Sequence, residues 1–478
     1  MSTHLRRTVV GLALGAIAFG VPACGNQVPR EQLLADSRGG DTVATAGQAV
    51  ADAPVAPAPS GAVPTITGNE AVGPSGGASP SVGTAITSTA KTMAATSGKS
   101  KAAPTATTPT CTGPLPEIAI GTVGATSGFI GASLRPGVDA IKAWVADTNA
   151  RGGLACHPIK YYVADDGGDP ARNAALTEQM VSERHVIAML FSSDPLSAQG
   201  GKSVLERAHV PTIGNEGAAE WFNTSSDFFP VSPAGTKMIV ASFAFAGQQL
   251  TPEQRAHFGA LACIEVSLCS QYAGDSGAKI AADNGMTMVY NGQATMVAPD
   301  YTSNCQSAKN AGVQALMLAG DNGLISRAIR SCNKINFHPV YTTSPIAITA
   351  AAAELPELDG VIVNSVVKPW TLDDPQSKRY VAALAKYVPG SAPIGSGAVG
   401  WASALVLERA GQNLPATPTA QDVYNGLWKI KNDDFGGFTA PLTYTKDKPA
   451  TYPVCWWGMS IKAKQWITLD NGARACKK

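Results

Sequence analysis

The sequence predicts an α/β protein with two Rossmann-like lobes, each built around a parallel sheet. Between residues 111 and 478, short apolar runs alternate with segments whose apolar residues recur at helical spacing. The same alternation restarts after the proline-marked stretch 228–233 (FFPVSP). Alternating strands and helices favour parallel strands joined by right-handed crossovers. The stretch is also long enough for two domains of about 150 residues each.

The first half of this region contains four predicted strands, at 116–123, 159–164, 186–191 and 210–213. Helices are predicted between them at 138–148, 170–180 and 198–208, with Asp169-Pro170 as the cap and first turn of the second helix.

The second half repeats the pattern. Strands are predicted at 260–266, 286–290, 313–318 and 338–341, with helices at 276–284, 302–311 and 325–333. The chain then continues with a strand at 360–367, helices at 377–387, 398–411 and 420–431, and an antiparallel ending at 452–469.

The N-terminus predicts export. Arg6 and Arg7, an apolar stretch at 9–19 and small residues up to Cys24 are typical of an export signal. Val21-Pro22-Ala23-Cys24 resembles the cleavage box of bacterial lipoproteins, which implies a signal peptide at 1–23 and a lipidated Cys24. An ordinary signal peptide cleaved after an alanine is the alternative. Residues 25–110 contain no Phe, Trp, Tyr or Cys. Such a segment cannot offset its ordering entropy, so 24–110 is interpreted as a flexible tether or as unspecific low complexity.

Charge and cysteine content narrow the function classes. The formal net charge of +1 gives no reason to expect nucleic acid as a partner. Apart from Cys24 there are eight cysteines, an even set that indicates disulfides in an exported protein. The favoured pairing joins neighbours along the chain: Cys111 with Cys156, Cys263 with Cys269, Cys305 with Cys332, and Cys455 with Cys476.

Two glycine motifs raise the question of a nucleotide site. Residues 191–203 (FSSDPLSAQGGKS) close on Gly-Lys-Ser between a predicted strand and helix, but the phosphate-loop pattern needs Gly where Leu196 stands. Lys202 is therefore interpreted as a solvated helix residue. A lone G-x-G-x-x-G at 395–400 has no strand before it. This favours the entry to a close-packed helix.

Catalytic patterns are weak. Asp165, Asp166 and Asp169 could form a carboxylate cluster for a metal, but a strand-end turn and a helix cap explain them as well. No G-x-S-x-G pattern occurs between residues 111 and 478, and the chain has no H-E-x-x-H pattern. No metal or cofactor is expected, and a secreted enzyme is the least favoured hypothesis.

A ligand site is expected beyond the carboxyl ends of the parallel strands, where open α/β sheets bind small molecules. The loops predicted there are rich in Gly, Ser, Thr and Asn, and Phe129 and Tyr272 could cover an apolar part of a ligand. These loops are 125–132, 191–197, 214–219, 270–274, 320–323 and 342–345.

The succession of segments resembles a known family. IAIGTVGATSGFIGASLRPGVDAIKAWVADTNARGGL, YYVADDGGDPARNAALTEQMV and VPTIGNEGAAEW, with YTSNCQSAKNAGVQALMLAGDNGLISRAIRSC further on, look like the type I periplasmic binding proteins of the branched-chain amino acid class. The resemblance implies two lobes linked by three hinge crossings, a ligand cleft that closes between them, and delivery to an ABC transporter permease. It also implies a monomer, held by its lipid anchor on the extracytoplasmic face of the cell membrane.

The resemblance implies crossings near 229–233, 366–370 and 437–443. Lobe I would then comprise 111–231 and 367–440, and lobe II 232–366 and 441–478. The ligand contacts implied for these lobes are Ser127, Phe129, Ser192, Ser193, Asn215, Glu216, Gly217, Tyr272, Asp321, Asn322, Thr343 and Ser344.

Two departures from the family pattern bear on the ligand. Glu216 stands where amino-acid binders offer small or hydroxyl residues to the ligand carboxylate, which it would repel. The stretch 342–345 lacks the acidic residue that pairs with the ligand ammonium. A neutral or partly apolar molecule, or a cation facing Glu216, therefore fits as well as a branched-chain amino acid. A ligand-sensing receptor of the same fold, acting on a membrane partner, is the alternative to transport.

Overall fold

A computed structural model describes residues 111, 113–192, 194–214, 217, 219–344 and 349–477, with the side chain of Phe129 outside the description. The predicted signal peptide, Cys24 and the tether lie outside the described residues.

Helices occupy most of the segments that connect the strands. Their bounds are α1 Gly128–Ala150, α2 Pro170–Ser182, α3 Gln199–Ala208, α4 Thr236–Gln249, α5 Pro252–Ala256, α6 Ser267–Ser270, α7 Asp275–Ala282, α8 Thr302–Asn310, α9 Asn322–Lys334, α10 Pro375–Tyr387, α11 Gly395–Ala410 and α12 Ala420–Leu427.

The strands are short, and many are fully buried. Their bounds are β1 Ile118–Gly124, β2 Ile159–Asp165, β3 Ala188–Leu190, β4 Thr212–Ile213, β5 Phe228–Phe229, β6 Phe258–Cys263, β7 Met288–Ala294, β8 Ala315–Ala319, β9 Val340–Thr343, β10 Ile362–Ser365, β11 Thr443–Thr445, β12 Lys448–Thr451, β13 Cys455–Lys462, β14 Gln465–Thr468 and β15 Ala475–Cys476.

Two parallel sheets have the same strand order. The first runs β2-β1-β3-β4-β5, and the second contains β7-β6-β8-β9-β10 in the corresponding order. The second sheet is extended by β13, which pairs antiparallel with β10, and by β14 and β15 beside β13. The predicted α/β fold with two Rossmann-like lobes is confirmed.

Three connections pass between the sheets within the described residues. The chain leaves the first sheet after β5, returns after β10 to helices α10 and α11, which contact α1, and re-enters the second sheet at β13. The hairpin β11–β12 contacts β5 of the first sheet, and the Tyr444 hydroxyl donates to the Pro230 carbonyl oxygen at 2.8 Å. The hairpin at the start of the segment 441–478 thus contacts residues of the first lobe.

Local sequence signals explain several helix starts. Asp169 accepts a hydrogen bond from the Arg172 amide ahead of Pro170, as its cap position predicts. Asp374 caps α10 in the same way, with Pro375 in the first turn. The G-x-G-x-x-G stretch lies inside α11, where a Cβ on Gly400 would come within 2.3 Å of the Gly137 carbonyl oxygen. This contact supports the close-packing interpretation of the motif.

Helix α4 was not predicted from the sequence. Its central stretch, MIVASFAFAG, is buried almost throughout. A helix buried on every side lacks the apolar and polar alternation that reveals an amphipathic helix. This helix is nevertheless central to the site, because it covers one face of the second sheet.

The structure pairs the eight described cysteines as predicted, in four bridges: 111–156, 263–269, 305–332 and 455–476. Across the described part of the chain, no helix combines the length and the apolar character needed to cross a bilayer.

A partly buried ion network ties α1 to α10 and α11. Arg379 Nη2 donates to Asp147 Oδ2 at 3.2 Å and to Glu408 Oε2 at 3.0 Å. Trp144 Nε1 donates to the same Glu408 oxygen at 2.8 Å. The three charged side chains are only 23–27% exposed, so solvent screens their interaction less than that of a surface pair.

We expect Glu408→Gln to lower the free energy of unfolding by about 1–2 kcal/mol, because it removes the charge between Arg379 and Trp144. Urea unfolding with the disulfides intact measures this. The control is Glu178→Gln, whose partner Arg207 lies at 3.7 Å with both side chains more than half exposed. It should change stability by less than about 0.5 kcal/mol. Equal effects of the two substitutions would contradict the role of the network.

Candidate ligand-binding cleft

A cavity of about 110 Å³ lies at the carboxyl ends of strands β6 and β8. These two strands are neighbours in the second sheet, and the chain leaves them toward opposite edges of that sheet. Such a switch point leaves a crevice between the two diverging connections, and open α/β sheets bind ligands there.

Both lobes contribute to the cavity wall. Helix α1 supplies Ile130, Ser133 and Leu134, and the loop after β3 supplies Pro195. The remaining lining residues come from α4 and the second sheet with its loops: Met238, Cys263, Val266, Leu268, Cys269, Tyr272, Met296, Met317, Leu318, Ala319, Gly320, Asp321, Thr343 and Ser344. Most of these side chains are aliphatic or contain sulfur, so the cavity favours apolar surface.

Unpartnered hydroxyls mark one side of the cavity. The hydroxyl oxygens of Thr343 and Ser344 are buried and have no hydrogen-bond partner, and the Thr343 side chain is 1% exposed. Buried polar groups are rarely left unpaired in folded proteins. These two hydroxyls are therefore candidates for contact with a ligand or an ordered water.

Asp321 is the one acidic side chain among the described residues that line the cavity. It is also the N-cap of α9, where its Oδ1 accepts the Leu324 amide hydrogen at 2.8 Å. The amides of a helix N-terminus stabilise a negative charge at this position. Helix capping thus accounts for part of the hydrogen-bonding capacity of this carboxylate.

Tyr272 packs its ring against the cavity and turns its hydroxyl to α4. The hydroxyl lies 3.0 Å from Ser242 Oγ, and the ring contacts Phe243 with centroids 5.7 Å apart. Burial raises the pKa of Tyr272 to about 12, and the hydrogen bond with Ser242 opposes that rise. The described contacts therefore make Tyr272 a wall of the cavity and leave its hydroxyl engaged elsewhere.

Carboxylates hold the loops of the first lobe in place. Asp194 Oδ2 accepts the Ala125 amide hydrogen at 2.9 Å, and its Oδ1 accepts that of Leu196 at 2.8 Å. Burial raises the pKa of Asp194 against these hydrogen bonds. Pro195 lies between Asp194 and the bonded Leu196. These hydrogen bonds therefore fix the point at which the loop touches the cavity.

The Asp165-Asp166-Asp169 cluster also consists of structural residues. Burial alone would raise the pKa of Asp165, but hydrogen bonds from Ser127 and the neighbouring amides outweigh it and hold the pKa below its usual value. Asp166 accepts hydrogen bonds from Asn173 and Ser197. In the described part of the chain, no group of three or more Asp, Glu, His or Cys side chains could hold a metal ion.

The predicted ligand contacts separate into three groups. Tyr272, Asp321, Thr343 and Ser344 line the cavity, and Asn322 lies beside it with a buried, unpartnered amide oxygen. Ser127, Ser192 and Gly217 lie elsewhere in lobe I, where Ser127 bonds Asp165 and Ser192 Oγ is 3.4 Å from the Val123 carbonyl oxygen. Ser193, Asn215, Glu216 and the side chain of Phe129 lie outside the described residues.

The Gly-Lys-Ser stretch is part of a surface helix. Lys202 Nζ lies 2.6 Å from Glu206 Oε1, one turn along α3, and both side chains are about one-third exposed. This intrahelical pair is consistent with the interpretation of Lys202 as a helix residue.

Sequence reasoning missed the apolar wall. It searched the strand-end loops for polar residues and expected a loop at 125–132, whereas α1 already begins at Gly128 and brings Ile130 and Leu134 to the cavity. One available signal was the apolar spacing of Ile264, Val266 and Leu268 between two paired cysteines at the end of a strand.

Two α/β lobes, three connections and a cavity walled by both lobes define a two-lobed solute-binding protein. The model of the periplasmic binding protein family matches residues 117–465. The chain belongs to this family.

Solved structures with the same fold support this assignment. A possible leucine/isoleucine/valine-binding protein from Rhodopirellula baltica SH 1 has a TM-score of 0.62 and 17% identity, over 75% of this chain and 97% of that one. A branched-chain amino acid ABC transporter protein from Thermus thermophilus with bound valine has a TM-score of 0.64 and 14% identity, over 75% and 96%.

A fatty acid ABC transporter substrate-binding protein from Thermomonospora curvata has a TM-score of 0.64 and 17% identity, over 76% of this chain and 94% of that one. None of the curated proteins compared with the chain matches it. At these identities the structures establish the fold and leave the ligand open.

We expect Tyr272→Phe to flatten the alkaline loss of stability. Between pH 10 and about 12 the folded state keeps the Tyr272 proton that the unfolded state releases, so its contribution to stability is complete below pH 10 and declines as the pH rises. At pH 7 the free energy of unfolding of the variant should be about 1 kcal/mol below that of the wild type, because the hydrogen bond with Ser242 is lost. Between pH 10 and 11.5 the free energy of unfolding should fall less in the variant than in the wild type.

Urea unfolding at pH 7, 10 and 11.5 measures this difference. The control is Tyr162→Phe, on the partly exposed β2. A decline in the Tyr272→Phe variant as steep as in the wild type would show that this tyrosine does not couple folding to pH.

Proposed function

We propose that this protein is an extracytoplasmic solute-binding lipoprotein that captures a small organic molecule between its lobes and delivers it to an ABC importer. The observation that carries the proposal is the cavity at the switch point of the second sheet, with Ile130, Leu134 and Pro195 of the first lobe completing its wall. A ligand in this cavity contacts both lobes.

Contact with both lobes couples binding to closure. A ligand shifts the equilibrium between open and closed states only as far as it prefers the closed state. Here the apolar side chains of α1 supply that preference, because they bury ligand surface only when the lobes are together. We propose that Tyr272, Asp321, Thr343 and Ser344 meet the ligand from lobe II, and that Ile130, Leu134 and Pro195 meet it from lobe I.

We further propose that the protein is a monomer held by a lipid anchor on the extracytoplasmic face of the cell membrane. The lipoprotein-like box at 21–24 supports the anchor, and the low-complexity segment up to residue 110 supports a tether that lets the lobes reach a permease. Several acyl chains on one residue hold a protein far more firmly than a single chain, whose binding is marginal.

We expect Ala319→Leu to abolish ligand capture. Ala319 lines the cavity and is 8% exposed, so a leucine there occupies the ligand's space while the ligand-free fold persists. Native mass spectrometry of the protein purified from its own cells without refolding should show a small-molecule adduct on the wild type and none on the variant.

Ala256→Leu adds the same volume on the exposed α5 and should keep the adduct. Small-angle scattering should show compaction on addition of the extracted ligand to the wild type but not to Ala319→Leu. A wild-type protein without any adduct and without compaction would refute capture between the lobes.

We expect Cys24→Ala to release the protein into the medium, because the side chain that would carry the lipid is gone. Cell fractionation with immunodetection measures the share of the protein that is released. The control is Ala23→Ser, which changes the neighbouring residue and keeps the cysteine. Unchanged membrane retention of Cys24→Ala would refute lipidation and leave the two-lobed binding function standing.

A further inference from the structure

We infer that the cavity selects an uncharged, predominantly apolar molecule that carries one hydrogen-bonding group, and that Thr343 and Ser344 receive this group. The inference rests on the proposed function only in taking the cavity as the ligand site. It concerns which chemistry the cavity accepts.

The charges of the lining residues disfavour an anionic ligand. No Lys, Arg or His is among the described residues that line the cavity. The positions outside the description within the predicted strand-end loops, and 346–348 directly after them in the sequence, add none, since positions 193, 215, 216, 218 and 345–348 are Ser, Asn, Glu, Ala, Pro, Ile, Ala and Ile. A ligand carboxylate would thus enter a low-polarity cavity without a counter-charge and would face Asp321, which disfavours burial of the anion.

The nearest arginine of α9 is already engaged. Arg327 Nε donates to the Ala298 carbonyl oxygen at 2.9 Å, and its Nη2 donates to the carbonyl oxygen of Met296. These bonds hold the loop after β7 against the helix. The guanidinium therefore serves the cavity wall rather than a ligand anion.

Several neutral polar atoms near the ends of β9 and β10 are buried without hydrogen-bond partners. Thr342 and Ile362 are register partners across β9 and β10, and Met317 is the partner of Thr342 on β8. Because side chains alternate along a strand, Ser344 and Asn364 fall on that same face of the sheet. The hydroxyls of Thr342 and Ser344 and both polar atoms of the Asn364 amide are buried without partners.

Of these residues and Thr343, only Thr343 and Ser344 are among the described residues that line the cavity, at the carboxyl end of β9. Their unpartnered hydroxyls form a neutral hydrogen-bonding patch in the otherwise apolar wall. Thr342 and Asn364 are 0% exposed, and Thr343 is 1% exposed. Hydroxyl and amide groups can both donate and accept hydrogen bonds. The patch therefore suits a ligand hydroxyl, carbonyl or amide, directly or through one water.

The volume of the cavity limits the size of the ligand. An apolar cavity of about 150 Å³ in another protein holds benzene, so a cavity of about 110 Å³ suits a branched hydrocarbon of roughly five or six carbons. Ile264 and Val297 are 56% and 69% exposed. They directly follow the lining residues Cys263 and Met296 in the sequence.

The test uses five probes with one branched hydrocarbon part: 4-methylpentan-1-ol, 4-methylpentanamide, 4-methylpentanoic acid, 3-methylbutylamine and L-leucine. Isothermal titration calorimetry of the oxidised wild-type chain at pH 7.5 compares their affinities. The alcohol and the amide should bind at least 10-fold more tightly than the acid, the amine and leucine.

Thr343→Val should weaken alcohol binding about 3- to 10-fold, because it removes the hydroxyl at nearly constant shape. Thr343→Ser should retain the affinity of the wild type. The matched control Thr212→Val removes another buried, unpartnered hydroxyl on β4, away from the cavity, and should change nothing.

Tightest binding of leucine or the acid would overturn the inference while leaving capture between the lobes intact. Tightest binding of the amine would overturn it in favour of Asp321 as a counter-ion. Silence of all five probes would also overturn it, and the adduct and compaction measured with cell-derived ligand would then decide the proposed function separately. Equal alcohol affinity in Thr343→Val and the wild type would refute the hydroxyl anchor.

Discussion

The strand order shared by the two sheets is the constraint on which the rest of the molecule depends. In each sheet the first strand lies between the second and the third, so the chain leaves the first and the third strand toward opposite edges of the sheet. The crevice that results needs no special residue to exist. Side chains at the ends of β6 and β8 only decide how polar it is, and here they make it apolar.

Charge is used differently in the two parts of the molecule. Carboxylates in lobe I bind backbone amides and close loops, as Asp194 does between Ala125 and Leu196. The ion network of Arg379 and Glu408 joins α1 to α10 and α11 through residues that do not line the cavity. Such groups stabilise the scaffold because each has partners, whereas the cavity keeps neutral polar groups that lack them. This separation lets the scaffold be rigid without fixing a counter-charge for the ligand.

Much of the fold was predictable because parallel α/β units leave strong local signals. Short apolar runs located most strands, and Asp169-Pro170 located a helix start that the structure shows. The bounds of β3 and β4 could not be predicted, because apolar residues continue beyond the paired stretch. Helix α4 was missed because its apolar residues point in every direction. The contact of the hairpin β11–β12 with β5 could not be predicted, because the two segments lie more than 200 residues apart in the sequence.

The position of the cavity was predictable, and the chemistry of its lining was predictable only in part. The rule that ligands bind at strand ends led to Tyr272, Asp321, Thr343 and Ser344, which do lie at the cavity. Ile130, Met238 and Met296 were not found, because apolar residues serve the core and a cavity wall equally well in a sequence. An apolar residue becomes part of a cavity wall only if the fold leaves an empty volume beside it. That volume forms between elements that are distant in the sequence.

The bridge between Cys263 and Cys269 makes the shape of the cavity wall depend on the redox conditions around the protein. It closes a loop of only a few residues, so it restricts the unfolded chain much less than the other three bridges. Its effect is local, because both cysteines and the enclosed Val266 and Leu268 form part of the wall. Oxidative maturation outside the cytoplasm therefore shapes the binding surface as well as the scaffold. Protein produced in a reducing cytoplasm lacks this bridge, so ligand screens need the oxidised form.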